Sequence, residues 1–280
     1  MDHQYRHYPW GSRFVLCLVG LLVLASSVQA EHTLVTFSVM GDTPYSERDA
    51  RTLQHQLATL NPDSEFVVHL GDIKTGRMSC SALWYNRVAA ILKQSPKRLF
   101  IVPGDNEWND CADPDQAWIL WTRSFLHFDE AWTNTLTVVR DPRHPENFAF
   151  ISRGVLFVGI NLVGGKILNV QDWVLRDHDN IQWIESQVQY AAQLISRLVI
   201  FGHALPGPNH QIFFALLNRV GQDFGKPILY LHGDGHEWIK DYPFAAKNIL
   251  RVQVEQGGKA DPITVRVTDN PKEPFVFVRE

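Results

Sequence analysis

The sequence predicts an α/β fold: two packed, mixed β-sheets flanked by helices. Three observations lead there. Apolar runs of strand length alternate with segments of helical spacing, as in strand–helix units that build parallel strands with right-handed crossovers. Three of those runs stop at the same dipeptide, Gly41-Asp42, Gly71-Asp72 and Gly104-Asp105. The C-terminal tail instead alternates apolar and polar residues, the pattern of strands with one face exposed.

Taken in order, "TLVTFSVM" is the first strand. "SERDARTLQHQLATL" follows as a helix, with Leu53, Leu57 and Leu60 on one face and Ser46 as its N-cap. "EFVVHL" is a buried strand, "SALWYNRVAAILKQ" a helix, and "RLFIV" a third strand. "NFAFISRGVLFVGIN" reads as a β-hairpin around Arg153-Gly154. "DNIQWIESQVQYAAQLI" is an amphipathic helix capped by Asp179. "RLVIF" leads to His203, and "PILYLH" to Asp234 and His236. The tail segments "ILRVQVEQ", "PITVRVT" and "PFVFVR" are expected to form a second sheet, packed on the first.

Of 280 residues, 45% are hydrophobic and 20% charged, with a net charge of -4. That balance suits a globular chain and offers no basic patch for nucleic acid. Residues 1–30 stand apart. Arg13 precedes the short apolar run "FVLCLVGLLVLA", and "SSVQA" places Val28 and Ala30 before a cut. This is the pattern of a signal peptide cleaved after Ala30, leaving residues 31–280 as one exported domain, periplasmic or secreted. The alternative is an uncleaved anchor, for which the run is short; no stable membrane anchor is expected after cleavage. Beyond residue 30 only Cys80 and Cys111 remain. Each follows a Gly-Asp loop, and an even number in an oxidising compartment points to a disulfide between them.

The polar residues at strand ends run Asp42, Asp72, Asp105, His203, Asp234, His236. In open α/β sheets, sites form where strands end at their carboxyl side. Carboxylates and imidazoles gathered there suit divalent metals. The stretch "VPGDNEWNDC" adds Asn106 and Glu107 directly after Asp105. A polar burst beside a buried strand is costly unless something binds it.

With "GDTPY", "GDIKTG", "GDNEW", "FGHA" and "GDGHEW" in this order, the chain resembles the calcineurin-like metallophosphoesterases, which include the purple acid phosphatases. The resemblance implies a two-sheet sandwich, two metals bridged by an Asp and a hydroxide, and hydrolysis of phosphate esters. It makes Asp42 and His236 ligands of a first metal, Asp72 the bridge and His203 a ligand of the second. Three positions depart from the family's pattern. Pro44 stands where a ligating His is expected, and Asp234 where another belongs. With Gly104 aligned, Asp105 replaces the ligating Asn, and Asn106 the His that assists the leaving group. The alternative register makes Asn106 the ligand and Asp105 an insertion.

One or two divalent ions are therefore expected. A second site of Asp72, Asp105, Asp234 and His203 is rich in oxygen. It favours manganese, iron(II), magnesium or calcium over zinc. The first site keeps Asp42, Asp72 and His236, with water or Tyr45 to complete it. Asp72 and Asn106 are the expected catalytic residues. Lys74, Arg77, Asn106 and Asn161 are candidates to bind substrate. An amide cannot act as a general acid, so leaving-group protonation would fall to water, Glu107 or His232. The expected function is metal-dependent hydrolysis of a small phosphate ester. The alternative is a secreted protein in which the same fold has lost catalysis and binds metal or ligand.

Overall fold

The computed structural model describes residues 1–4, 7, 32–133 and 136–279. The chain divides into two units after Ala30, and every strand and helix among the described residues belongs to the second. The apolar run expected to be a signal peptide, and its cut after Ala30, lie outside the described residues.

The strands are β1 (Thr33–Met40), β2 (Phe66–His69), β3 (Arg98–Ile101), β4 (Val139–Arg140), β5 (Phe148–Ser152), β6 (Val155–Gly159), β7 (Arg197–Phe201), β8 (Ile228–His232), β9 (Ile239–Asp241), β10 (Ile249–Gln253), β11 (Ile263–Thr268) and β12 (Phe275–Val278). The helices are α1 (Glu47–Ala58), α2 (Ala82–Leu92), α3 (Pro114–Phe125), α4 (Val170–Ala191) and α5 (Gln211–Phe224). One sheet has the order β12-β11-β1-β2-β3 and the other β4-β5-β6-β7-β8-β10-β9. Within them, β1-β2-β3 and β6-β7-β8-β10 are parallel runs. The remaining pairs are antiparallel.

The sheets face each other across an aromatic core. Phe37 and Phe66 of the first sheet meet Phe157 of the second at 5.6 and 5.1 Å between ring centres. Phe66 also meets Phe150 edge-on at 5.2 Å, and Phe100 stacks on Phe148 at 4.9 Å. Each such pair adds about 0.5–1.5 kcal/mol beyond the area it buries. Strand alternation sends the other residues outward. Val67, Leu99 and Ile101 pack against Leu53 and Leu57 of α1, Val88 of α2 and Trp121 of α3. Leu198, Ile200 and Ile228 pack against Ile181 and Ile184 of α4 and Phe213 and Leu217 of α5. Four layers result, helix–sheet–sheet–helix, and both parallel runs are buried on two faces.

Local chemistry explains most boundaries. Ser46 caps α1 by accepting from the Asp49 N–H at 3.1 Å. The hairpin turns at Arg153-Gly154, as expected, with β5 and β6 paired in register. Two expectations are corrected. Asp179 is no cap: α4 begins more than two turns earlier at Val170 under Asn169, and Asp179 instead pairs with Arg143 and His144. The tail is no sheet of its own. β10 joins the second sheet beside β8, while β11 and β12 complete the first sheet against β1. Both β10 and β11 are mostly buried, because each is an interior strand covered on two sides.

Candidate metal centre

The six strand-end residues are brought to one end of the sandwich. Asp42, Asp72 and Asp105 follow β1, β2 and β3; His203 follows β7; Asp234 and His236 follow β8. Among the described residues, six that are not glycine have positive φ, and four of them are Asp42, Asp72, Asp234 and His236. Such backbone costs about 1–3 kcal/mol per residue and clusters at functional sites. The second and third loops touch so closely that a Cβ on Gly104 would lie 2.2 Å from the Asp72 nitrogen. Glycine is required there.

Ligand atoms of Asp42, Asp72 and His203 lie within 4.8 Å of one another, as do those of Asp105, His203 and Asp234. His203 is fully buried, and its Nδ1 donates to the Leu70 carbonyl at 2.7 Å. That bond fixes the ring and turns Nε2 toward Asp72 Oδ1 at 3.4 Å and Asp105 Oδ1 at 3.2 Å. Neither contact has hydrogen-bond geometry, so Nε2 and Asp105 Oδ1 are both without a hydrogen-bond partner. Burial opposes charging His203, but Asp72 and Asp105 outweigh it and hold the ring well above its ordinary pKa. A divalent cation would stand where that proton is drawn, and it would satisfy both orphaned atoms. The donor set therefore fits a metal. Burial pushes Asp234 up to about 6, with Asp105 and Asp72 adding to it against the pull of His203. A cation among them would reverse that crowding.

At the outer edge, His236 is 42% exposed and its Nε2 lies 3.3 Å from Asp42 Oδ1. Tyr45 Oη lies 3.3 Å from Asp42 Oδ1, 3.1 Å from Asp72 Oδ2 and 3.1 Å from His236 Nε2. Burial, then the charges of Asp72 and Asp42, hold the Tyr45 hydroxyl above its usual pKa. Pro44 supplies no ligand atom.

The supporting residues were harder to read from sequence. Glu107 is fully buried and clamps the second loop to the third. Its Oε1 accepts from the N–H groups of Asp72 (3.1 Å) and Gly104 (2.6 Å), and its Oε2 from Ile73 (3.3 Å). Burial, then the Asp72 charge, push it up to about 8. His69 does the same between the first and second loops. Its Nε2 donates to the Thr43 carbonyl at 2.8 Å and its Nδ1 accepts from Gly71 N–H at 3.2 Å. The one sequence signal for His69 was an ionisable residue closing a buried strand. Cys80 and Cys111 form the expected disulfide, with Cα atoms 6.1 Å apart. It ties α2's approach to the third loop.

Asn106 Nδ2 donates to Asp72 Oδ2, and Asn106 N–H to Asp72 Oδ1 at 3.0 Å. Asp105, not Asn106, faces His203, in line with the register that keeps Gly104 and Glu107 in place. Asn106 and exposed Arg77 line an open cleft of about 490 Å3 with Tyr45, Thr75, His236 and Gln256. Three expectations are corrected. Lys74 is buried, and its ammonium donates to the carbonyls of Thr75 and Asn106 instead of facing a substrate. Asn161 is buried, its amide donating to Glu146 at 2.8 Å and its backbone carbonyl accepting from Asn180. His232 is buried against Tyr230, and burial drives it down to about 3. Neither His232 nor the clamping Glu107 faces the cleft as a proton donor.

Residues 170–257 match a family described as of unknown function (DUF8172). No curated protein matches the chain. Among solved structures, the chain is similar to purple acid phosphatase PPD1 from yellow lupin (Lupinus luteus) seeds, with a TM-score of 0.54 and 10% identity over 88% of this chain and 53% of that one. It is similar to 5'-nucleotidase from Candida albicans SC5314, with a TM-score of 0.53 and 13% identity over 88% and 52%. It is also similar to GAP50, the anchor in the inner membrane complex of Plasmodium, with a TM-score of 0.51 and 12% identity over 89% of each chain. The chain spans about half the length of the first two. At these identities the likeness is one of fold, a two-sheet α/β sandwich.

Proposed function

We propose that the chain is an exported, metal-dependent phosphoesterase acting on a small phosphate ester. One observation carries this reading. His203 Nε2 and Asp105 Oδ1 are buried without hydrogen-bond partners, side by side, at the carboxyl ends of two parallel strand runs. A cation between them makes that arrangement inexpensive. Asp72, Asp105, His203 and Asp234 would hold one ion, and Asp42, Asp72 and His236 a second. The oxygen-rich set favours manganese, iron(II), magnesium or calcium over zinc.

A divalent ion supplies an activated nucleophile at neutral pH and positive charge for the phosphoryl oxygens. The chain's own residues do the rest. Asp72 lies between both sets of donors and fixes their spacing. Asn106, held by its bonds to Asp72, presents an amide at the cleft and can donate to a phosphoryl oxygen. Arg77 stands free in the same cleft to attract the anion. Apart from His236, which would be held by the outer ion, no side chain lining the cleft has a proton near neutrality to replace the absent histidine, so esters with good leaving groups are the preferred substrates. Export rests on the disulfide, which suits an oxidising compartment. No helix among the described residues is long and apolar enough to cross a membrane.

The test is hydrolysis of activated aryl phosphate mono- and diesters by protein loaded with each candidate metal, then stripped with chelator and reloaded. Turnover that follows metal content supports the reading. A protein that binds metal and phosphate but never turns over supports the second reading, a binding protein. The burial of Glu107 and His232 away from the cleft favours that alternative.

A further inference from the structure

A second cleft lies apart from the metal centre, walled by the third strand-end loop, α3, the segment between β4 and β5, and α4. It holds about 290 Å3, at the small end of ligand pockets. It shares no lining residue with the cleft of Arg77 and His236. Trp108 and Trp118 form part of its wall, with ring centres 5.0 Å apart, and Arg176 of α4 and Glu146 also line it. We propose that this cleft binds a small zwitterion, an α-amino acid with an apolar side chain, its carboxylate on Arg176 and its ammonium on Glu146.

Arg176 is the reason to expect a negative group. Its guanidinium lies 4.8 Å from the Trp108 ring centre and 5.8 Å from that of Trp173. Among the described residues it makes no hydrogen bond and no ion pair. A guanidinium carries five N–H donors in a planar fork. Here the indoles hold it half-buried, with those donors unused by the protein. Burial lowers its pKa, opposed by the charges of Glu146, Asp177 and Asp172. Those carboxylates are near enough to be felt, yet none pairs with it. A ligand carboxylate would meet the fork with two parallel hydrogen bonds. Arg143, also in the wall, is already engaged with Asp179 and Gln182.

Glu146 is the reason to expect a positive group beside it. It is buried, and its Oε1 accepts from the Asn161 amide at 2.8 Å, with His144 Nδ1 3.8 Å away. Its Oε2 makes no hydrogen bond among the described residues. Asn161, its amide nitrogen committed to Glu146, has a buried Oδ1 without a partner. Two acceptors therefore lack donors in the same wall as the unpaired guanidinium. A plain anion would suit Arg176 and be repelled by Glu146, and a plain amine would do the reverse. A ligand carrying both signs suits both. The indole surfaces favour an apolar side chain on it.

The experiment is equilibrium dialysis of the full chain with L-leucine, and with two compounds that each lack one of its charges, isocaproate and isoamylamine. L-leucine should bind. Each of the others should bind at least about tenfold more weakly, the scale of a lost hydrogen bond to a charged group. Arg176→Gln should weaken L-leucine by at least about tenfold as well. Glu146→Gln should weaken L-leucine while strengthening isocaproate, a change of preference that damage to the fold does not produce. Chelator-treated wild type should bind L-leucine unchanged, since no candidate metal ligand lines this cleft. Isocaproate bound as tightly as L-leucine would make this a plain anion site and overturn the proposal. Equal binding of isoamylamine, unchanged L-leucine affinity in Arg176→Gln, or no binding of L-leucine at millimolar concentration would overturn it too.

Discussion

The two ends of the strand-end constellation use the same residue types under different conditions. Around His203, the ring, Asp72 and Asp105 are buried, and two of their atoms have no hydrogen-bond partner. Around His236, the ring is 42% exposed and every named polar atom touches another. The buried end leaves atoms that a cation would satisfy. The exposed end can rest on hydrogen bonds and water, and it opens to the cleft of Arg77 and Asn106. The difference teaches which end is structural to the site and which is exchangeable. The inner ion should bind more tightly and leave last under chelation, and the outer ion should leave first.

Asp72 belongs to both ends, so its substitution should erase the contrast. Asp72→Asn is expected to lower turnover by roughly 10³-fold or more, the upper range for one electrostatic group, and to weaken both ions together. Steady-state kinetics with metal analysis checks this. Full turnover with unchanged metal content would break the assignment. Next comes the disulfide, which braces the buried end. Replacing Cys80 and Cys111 together by Ser releases a loop of 31 residues and should cost roughly 3–4 kcal/mol, read from denaturant midpoints. The loss should appear with the inner ion removed as well as bound.

Lys74→Met sharpens the comparison differently. The lysine holds two backbone carbonyls, so the variant should lose about 1–3 kcal/mol of stability and leave the Michaelis constant unchanged. A raised Michaelis constant at full stability would return Lys74 to the cleft. Asp234→His alters only the buried end. It turns three carboxylates and one imidazole into two of each, and should shift zinc over manganese by about tenfold. Competitive loading from an equimolar mixture followed by elemental analysis measures it. The smallest effect belongs to the exposed end. Arg77→Ala should raise the Michaelis constant by up to about fivefold, as befits an exposed charge, and the rise should shrink as salt increases.

Legibility followed the range of the interaction. The Gly-Asp loops could be read because an apolar run, a turn and a ligand are adjacent in sequence. The hairpin at Arg153-Gly154 was legible for the same reason. The tail was not: alternation tells which face a residue takes, and nothing in "PITVRVT" says that its partner is β1. Its alternation puts Ile263, Val265 and Val267 in the core, but it does not show that Thr264 and Thr268 on the polar face are buried as well. Glu107 was visible as part of a polar burst, but its partners Asp72 and Ile73 lie more than thirty residues away. Lys74 and Asn161 had the right chemistry for phosphate, and only packing showed which way each faced. Asp179 has the side chain of an N-cap, but Asn169 opens α4 more than two turns before it.

One pairing bears on how the chain is made. β1, which carries Asp42 at its end, lies between β2 and β11, and Thr36 sits opposite Arg266. The first strand of the domain is therefore closed on one side by its last strand but one. Until residues 263–268 have emerged, that edge has no cover, and an open edge invites pairing with other chains. Contacts this distant in sequence also form slowly. During synthesis the second sheet can assemble its β6-β7-β8-β10 core first, while the first sheet must wait for the final segment. Truncation before Ile263 should accordingly yield a product that aggregates, not one that is merely shorter.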